Sequence, residues 1–169
     1  MIRPILAGLA AGLLVAGCAT LAGGADTAHD YPEAESYAAS EDAMGDVDAA
    51  LARAAAADMR VLLVMGANWC HDSRALAGWL GTDRFARLID AHYELVFINV
   101  GMPQSGDGHN LDIARRFGLD DLPGTPNLLV LTGDGTLVNP DTATSWRNAA
   151  SREEDAIFEE LEMLADKAA

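Results

Sequence analysis

Apolar residues recur at helical spacing over Glu41–Ala57, where Met44, Val47, Leu51 and Ala54 share one face and Ser40 stands ready to cap. Val61–Ala67 is apolar at both odd and even positions, which suits a central strand rather than an edge strand. Leu76, Trp79 and Leu80 mark one helical face, and Phe85, Leu88 and Ile89 mark another. Gly81-Thr82 lies between the two sets and predicts a bend or break. Glu94–Val100 reads as a second buried strand, and GMPQSGDGHN as a loop whose last residue, Asn110, caps a short helix through Phe117. Asn127–Leu131 predicts a strand, Gly133-Asp134-Gly135 a hairpin turn, and Thr136–Val138 the return strand. No helix follows the Gly-Asp-Gly, so turn geometry explains it better than phosphate binding. Ser151-x-x-Glu154 matches a capping box ahead of Ile157, Phe158, Leu161 and Leu164. The predicted order is helix, β, α, β, α, β, β, α, with no internal repeat.

The N-terminus follows another pattern. Arg3 precedes an apolar run, Ile5–Val15, that is too short to span a bilayer and reads as a signal peptide. It ends in Val15-Ala16-Gly17-Cys18, which resembles the lipobox of bacterial lipoproteins. The resemblance implies cleavage of residues 1–17 and attachment of diacylglycerol to the sulfur of Cys18. The alternative is an ordinary signal peptide in which Cys18 is incidental. By the Gram-negative sorting pattern, Ala19 rather than Asp after the cysteine implies the outer membrane, facing the periplasm. Residues 18–40 are small, polar and acidic without apolar periodicity, and are expected to form a flexible tether. His29, Tyr31 and Tyr37 fall in that stretch and receive no role. The folded domain is then expected over residues 41–169.

Composition narrows the function. A formal charge of -15 argues against nucleic acid and against anionic lipid surfaces as electrostatic partners. The cysteines, Cys18 and Cys70, are too few for a disulfide scaffold. With Cys18 lipidated, Cys70 is the thiol that remains.

Cys70 stands in Trp69-Cys70-His71-Asp72-Ser73, at the corner between the first predicted strand and the helix after it. The first turn of a helix carries unpaired N–H groups and a dipole that favour an anion, and the thiolate is cysteine's nucleophilic form. His71 adds positive charge when protonated, and Asp72 opposes it. The contrasting reading is an inert, buried cysteine acting as a small hydrophobe. This corner resembles the active-site motif of the thioredoxin-like family, and Gly124-Thr125-Pro126 resembles that family's loop with a cis proline packed against the reactive cysteine. Element order and both motifs together identify residues 43–166 as similar to that family. The resemblance implies a three-layer α/β/α thioredoxin-like fold, β-α-β-α-β-β-α with an extra N-terminal helix. It also implies that Thr125 and Pro126 receive substrate backbone and that Trp69 and His71 flank the groove.

The chain departs from the family at three positions. Ser73 stands where a dithiol enzyme has its second cysteine, so a mixed disulfide at Cys70 has no internal sulfur to resolve it. Val64 stands where the family places a buried acid, and Gly78 where it places a helix-kinking proline. A dithiol reductase is therefore not expected. The expected activity is monothiol exchange with protein or small-molecule thiols and disulfides, glutathione among them, resolved by an external thiol. The competing class is a non-catalytic binding module that kept the peptide groove. Cys70, His71 and His109 lack the paired spacing of a metal site, and no metal or cofactor is expected.

Overall fold

The computed structural model describes residues 31–169. The predicted signal segment, Cys18 and the tether through residue 30 lie outside the described residues. In chain order the elements are α1 (Ala43–Ala57), β1 (Arg60–Gly66), α2 (His71–Leu80), α3 (Asp83–His92), β2 (Tyr93–Asn99), β3 (Gly101–Met102), β4 (Asp107–Gly108), α4 (Leu111–Arg116), β5 (Asn127–Leu131) and α5 (Glu154–Asp166).

β1 is central, as its unbroken apolar run predicts. It pairs in parallel with β2 from Arg60↔Tyr93 to Gly66↔Asn99. On its other side it pairs antiparallel with β5 from Val61↔Leu131 to Met65↔Asn127. Side-chain alternation then divides the core into two layers. Leu62 and Val64 join Leu128 and Val130 against α2, α3 and α5 through Leu76, Phe85, Leu88, Ile157 and Leu161. Val61, Leu63 and Met65 join Leu129 and Leu131 against α1 and α4 through Val47, Leu51, Ile113 and Phe117. Each fully buried aliphatic side chain contributes roughly 1.5–3 kcal/mol, so both faces of the sheet hold the fold. The break at Gly81-Thr82 separates α2 from α3 as predicted. The result is the three-layer thioredoxin-like architecture.

Local details differ from the sequence reading, each for an identifiable reason. Asp42, not Ser40, caps α1: its Oδ1 accepts from the Gly45 N–H at 2.9 Å, while the Ser40 hydroxyl turns to Asp46. Asn110 has positive φ and gives α4 no side-chain cap, because its amide donates instead to the Asn99 carbonyl at 2.9 Å. The Ser151–Glu154 capping box does not form. Ser151 ends a 3-10 turn, Ala149–Ser151, and its hydroxyl donates to Asn148, while Glu154 pairs with Arg84 at 3.1 Å. The GMPQSGDGHN loop contains the short β3–β4 ladder.

The expected return strand shrinks to one bridge, Leu131↔Leu137, plus the bond from the Val138 N–H to Val130. The buried Asn139 side chain replaces the missing ladder. Its Oδ1 accepts from the Val130 N–H at 2.9 Å, and its amide donates to the Leu128 carbonyl at 3.0 Å. Pro140 follows, so the chain could not continue as a full hydrogen-bonding strand.

The largest correction concerns the tether. Residues 31–40, expected to be flexible linker, lie on the domain, and Tyr37 is 1% exposed within the α2–α3–α5 layer. Its ring meets Phe97 edge-on with centroids 5.3 Å apart. One aromatic residue supplies the apolar area that the composition of the stretch otherwise lacks.

Candidate functional site

Cys70 is the N-cap residue of α2, so its sulfur sits at the start of the helix where the first backbone N–H groups are unpaired. The Arg74 N–H closes the first turn on the Cys70 carbonyl at 3.0 Å, and the Cys70 N–H bonds Ala67 at 3.1 Å. The Cys70 thiol donates to the Thr125 carbonyl at 3.4 Å. The Thr125–Pro126 peptide is cis. Two stretches 55 residues apart thus meet at one sulfur. Cys70 is 7% exposed, so little of it is open to a partner. Its bond to a carbonyl and its place at a helix start distinguish it from a cysteine packed among hydrocarbon alone.

Trp69 lies on the rim, 51% exposed, with its indole N–H donating to the Gly101 carbonyl at 3.0 Å. Met102, the next residue along that strand, is 41% exposed beside it in sequence. Gly101 is held at φ +62, and a Cβ there would strike the Asp107 carbonyl and the His109 ring, so the turn needs glycine. That places the His109 ring against Gly101 of the β3–β4 ladder. His71 is exposed and approaches Asp72 Oδ2 at 3.2 Å.

Asp72 does more than oppose His71. It is buried, and its Oδ1 accepts from the Ala150 N–H at 2.8 Å, tying the start of α2 to the 3-10 turn before α5. Nothing in local sequence could announce that partner, which lies 78 residues away.

Ser73 is fully buried. Its hydroxyl accepts from the Ala67 N–H at 3.4 Å, so the position that holds a second sulfur in a dithiol enzyme serves here to close the corner. Val64 is equally buried within the apolar layer and brings no titrating group to the site. Thr125 and Pro126 are both buried, and the Thr125 hydroxyl and Asn127 Oδ1 have no hydrogen-bond partner among the described residues.

The residues that the sequence reading passed over are those of the strap, residues 32–37. Tyr37 exchanges two bonds with Asn68, its N–H to Oδ1 at 3.0 Å and its carbonyl to Nδ2 at 3.4 Å. Its hydroxyl donates to the Ser73 carbonyl at 3.2 Å. Burial pushes the phenol well above its ordinary pKa, so it remains a donor at every physiological pH. The Ala34 N–H bonds the Arg74 carbonyl, and Glu33 pairs with Arg74, whose guanidinium also reaches the Asn68 carbonyl at 2.9 Å. Gly78 has its reason here. Any Cβ at that position would collide with the Pro32 carbonyl, so the strap crosses α2 where the family has proline.

The strap therefore grips the chain on both sides of Cys70. Tyr37→Ala should destabilise the protein by about 3–5 kcal/mol, the range for removing a buried aromatic. Tyr37→Phe, which keeps the ring and loses the bond to Ser73, should cost about 1 kcal/mol. Urea denaturation measures both; a Tyr37→Ala variant as stable as the parent would mean that the strap is not part of the core.

The profile of a thioredoxin-like family matches residues 42–133. The crystal structure of a disulphide isomerase from Xylella fastidiosa Temecula1 superposes with a TM-score of 0.67 and 31% sequence identity, covering 79% of this chain and 100% of that one. No curated protein matches the sequence. The profile spans more than half of the chain, and the solved relative is covered over its full length. The chain belongs to the thioredoxin-like family.

Proposed function

We propose that this protein is a membrane-tethered monothiol exchange protein working through Cys70. The observation that carries the reading is the Cys70 sulfur at the start of α2, held against the Thr125 carbonyl with a buried serine in place of a second sulfur. The family and the likeness to a disulphide isomerase support thiol–disulfide chemistry in general. The missing sulfur at Ser73 supports the single-thiol form.

In the forward step Cys70 loses its proton to solvent and the thiolate attacks one sulfur of a client disulfide. A bond forms between Cys70 and that sulfur, the client S–S bond breaks, and the second sulfur leaves as a thiolate. Ser73 cannot attack the resulting mixed disulfide. An external thiolate, glutathione or a second client cysteine, takes the client sulfur and returns Cys70 to its thiolate. No net electrons are gained or lost by the protein over the cycle. Trp69, His71, Thr125 and Pro126 bound the opening through which a client strand reaches the sulfur. Incubation with oxidised glutathione followed by intact mass and peptide mapping tests the reading: one glutathionyl group on Cys70 is expected, and an unmodified Cys70 rejects it.

The exposed Trp69 and Met102 side chains favour one second reading, a binding module that holds clients without turnover. Client capture that persists without the Cys70 sulfur would select it.

The tether belongs to the same proposal. VAGC at the end of the short apolar segment supports lipidation of Cys18, and Ala19 supports an outer-membrane address facing the periplasm. No helix among the described residues is long and apolar enough to cross a membrane. Metabolic labelling with a fatty-acid analogue should mark the wild type and leave Cys18→Ser unlabelled. Equal labelling of the two would remove Cys18 as the anchor.

A further inference from the structure

Arg147 follows the buried Trp146 in the segment between β5 and α5, and its stem lies across Gly124. A Cβ built on Gly124 would come within 2.9 Å of Arg147 Cδ, so glycine is what lets the arginine settle there. The next residue, Thr125, supplies the carbonyl that holds the Cys70 thiol. Three residues further along the same segment, Ala150 is bonded to Asp72 at the start of α2. The segment 147–150 thus touches both elements that meet at the thiol, the cis-proline loop and the start of α2.

Acidic residues outnumber basic ones by 26 to 11, and arginines nearby are matched: Arg74 pairs with Glu33, and Arg152 with Glu160. Arg147 is exposed, and among the described residues it has no carboxylate within ion-pair distance. Its guanidinium makes one long bond, from Nε to the Thr144 carbonyl at 3.4 Å. Asp72, an acid near the thiol, is occupied by the Ala150 N–H and by His71. Apart from that one bond its guanidinium N–H groups have no partner among the described residues, and its stem lies on the loop whose next carbonyl holds the nucleophilic sulfur, so it is set to receive a carboxylate from whatever the sulfur attacks.

We infer that Arg147 is a specificity-determining residue that selects disulfides carrying a carboxylate near the reacting sulfur. The inference rests on the exchange reading of Cys70 and names its substrate class. The elementary step is the one already written: Cys70 takes one sulfur of the anionic disulfide, and the other departs as an anionic thiolate. Arg147 holds the half that stays. The selection opposes the net negative charge of the protein, which by itself repels such substrates.

The experiment compares rate constants for modification of Cys70 by three symmetrical disulfides: oxidised glutathione, which is anionic, bis(2-hydroxyethyl) disulfide, which is neutral, and cystamine, which is cationic. The full chain is used as wild type, Arg147→Gln and Arg147→Glu. The rate ratio of anionic to neutral disulfide should fall, by up to roughly fivefold, in Arg147→Gln, the upper end for an exposed charge pair. It should fall roughly tenfold in Arg147→Glu, with cystamine favoured instead, and both shifts should shrink at high salt. Ratios equal to wild type in both variants overturn the inference, whether or not absolute rates change. A wild type that reacts with none of the three disulfides overturns the exchange reading itself, and this inference with it.

Discussion

Cys70→Ser should form no mixed disulfide with any client or small disulfide, a complete loss rather than a graded one. The substitution exchanges sulfur for oxygen at the N-cap of α2, a position where serine is among the favoured residues, so the fold should survive. An oxygen cannot enter a disulfide, and among the described residues Cys70 is the free cysteine. Peptide mapping after treatment with oxidised glutathione reads the result at that residue. Unfolding midpoints within the usual range for a mild substitution confirm that chemistry, not structure, was lost. A wild type that forms no mixed disulfide at Cys70 under the same conditions would contradict the assignment. Client binding that continues non-covalently would favour the binding-module reading, with Trp69 and Met102 as its surface.

Ser73→Cys should convert the protein into one that resolves its own adducts. Position 73 lies one helical turn beyond Cys70, close enough for a disulfide without large backbone movement. The cost is local. The Ser73 hydroxyl now accepts from the Ala67 N–H, and sulfur is larger and a poorer acceptor. Tyr37 and Gly66 crowd the same spot, since a Cβ on Gly66 would lie 2.8 Å from the Ser73 hydroxyl. Some loss of stability is therefore expected. The variant should show an internal 70–73 disulfide, short-lived adducts, and insulin reduction when a reductant is supplied. Val64 should keep that reduction modest, because it brings no acid to the position from which the family's buried acid moves the proton. Adducts as persistent as those of the wild type would mean that the second sulfur is not what the native site lacks.

How much of this was legible in the sequence follows from where each interaction is encoded. β1 announced itself through six consecutive apolar positions, 61–66, whose burial on both faces needs no partner to be inferred. The corner at Cys70 and the Gly124-Thr125-Pro126 loop were legible because each motif is local, and the structure brings them together at 3.4 Å. The three helix caps that did not form have a common cause. Ser40, Asn110 and Ser151 each have a residue type that can cap, but each side chain found another partner once the fold closed. Tyr37 was passed over because its neighbours in sequence are small and acidic. Its ring, however, packs on Phe97, 60 residues away in the numbering, and periodicity cannot see so distant a contact. Asp72 and Arg147 share that difficulty. Their roles depend on Ala150 and Gly124, which only the packing of α2, the cis-proline loop and the segment before α5 brings near.

The central claim is that Cys70 acts alone, and adduct lifetime tests it most directly. Wild type is charged with a disulfide client, freed of excess reagent, and sampled over time on non-reducing gels with and without added glutathione. A mixed disulfide at Cys70 should persist in buffer and disappear once the external thiol is added. An adduct that vanishes unaided, or a wild type that forms none with any disulfide offered, would contradict the claim.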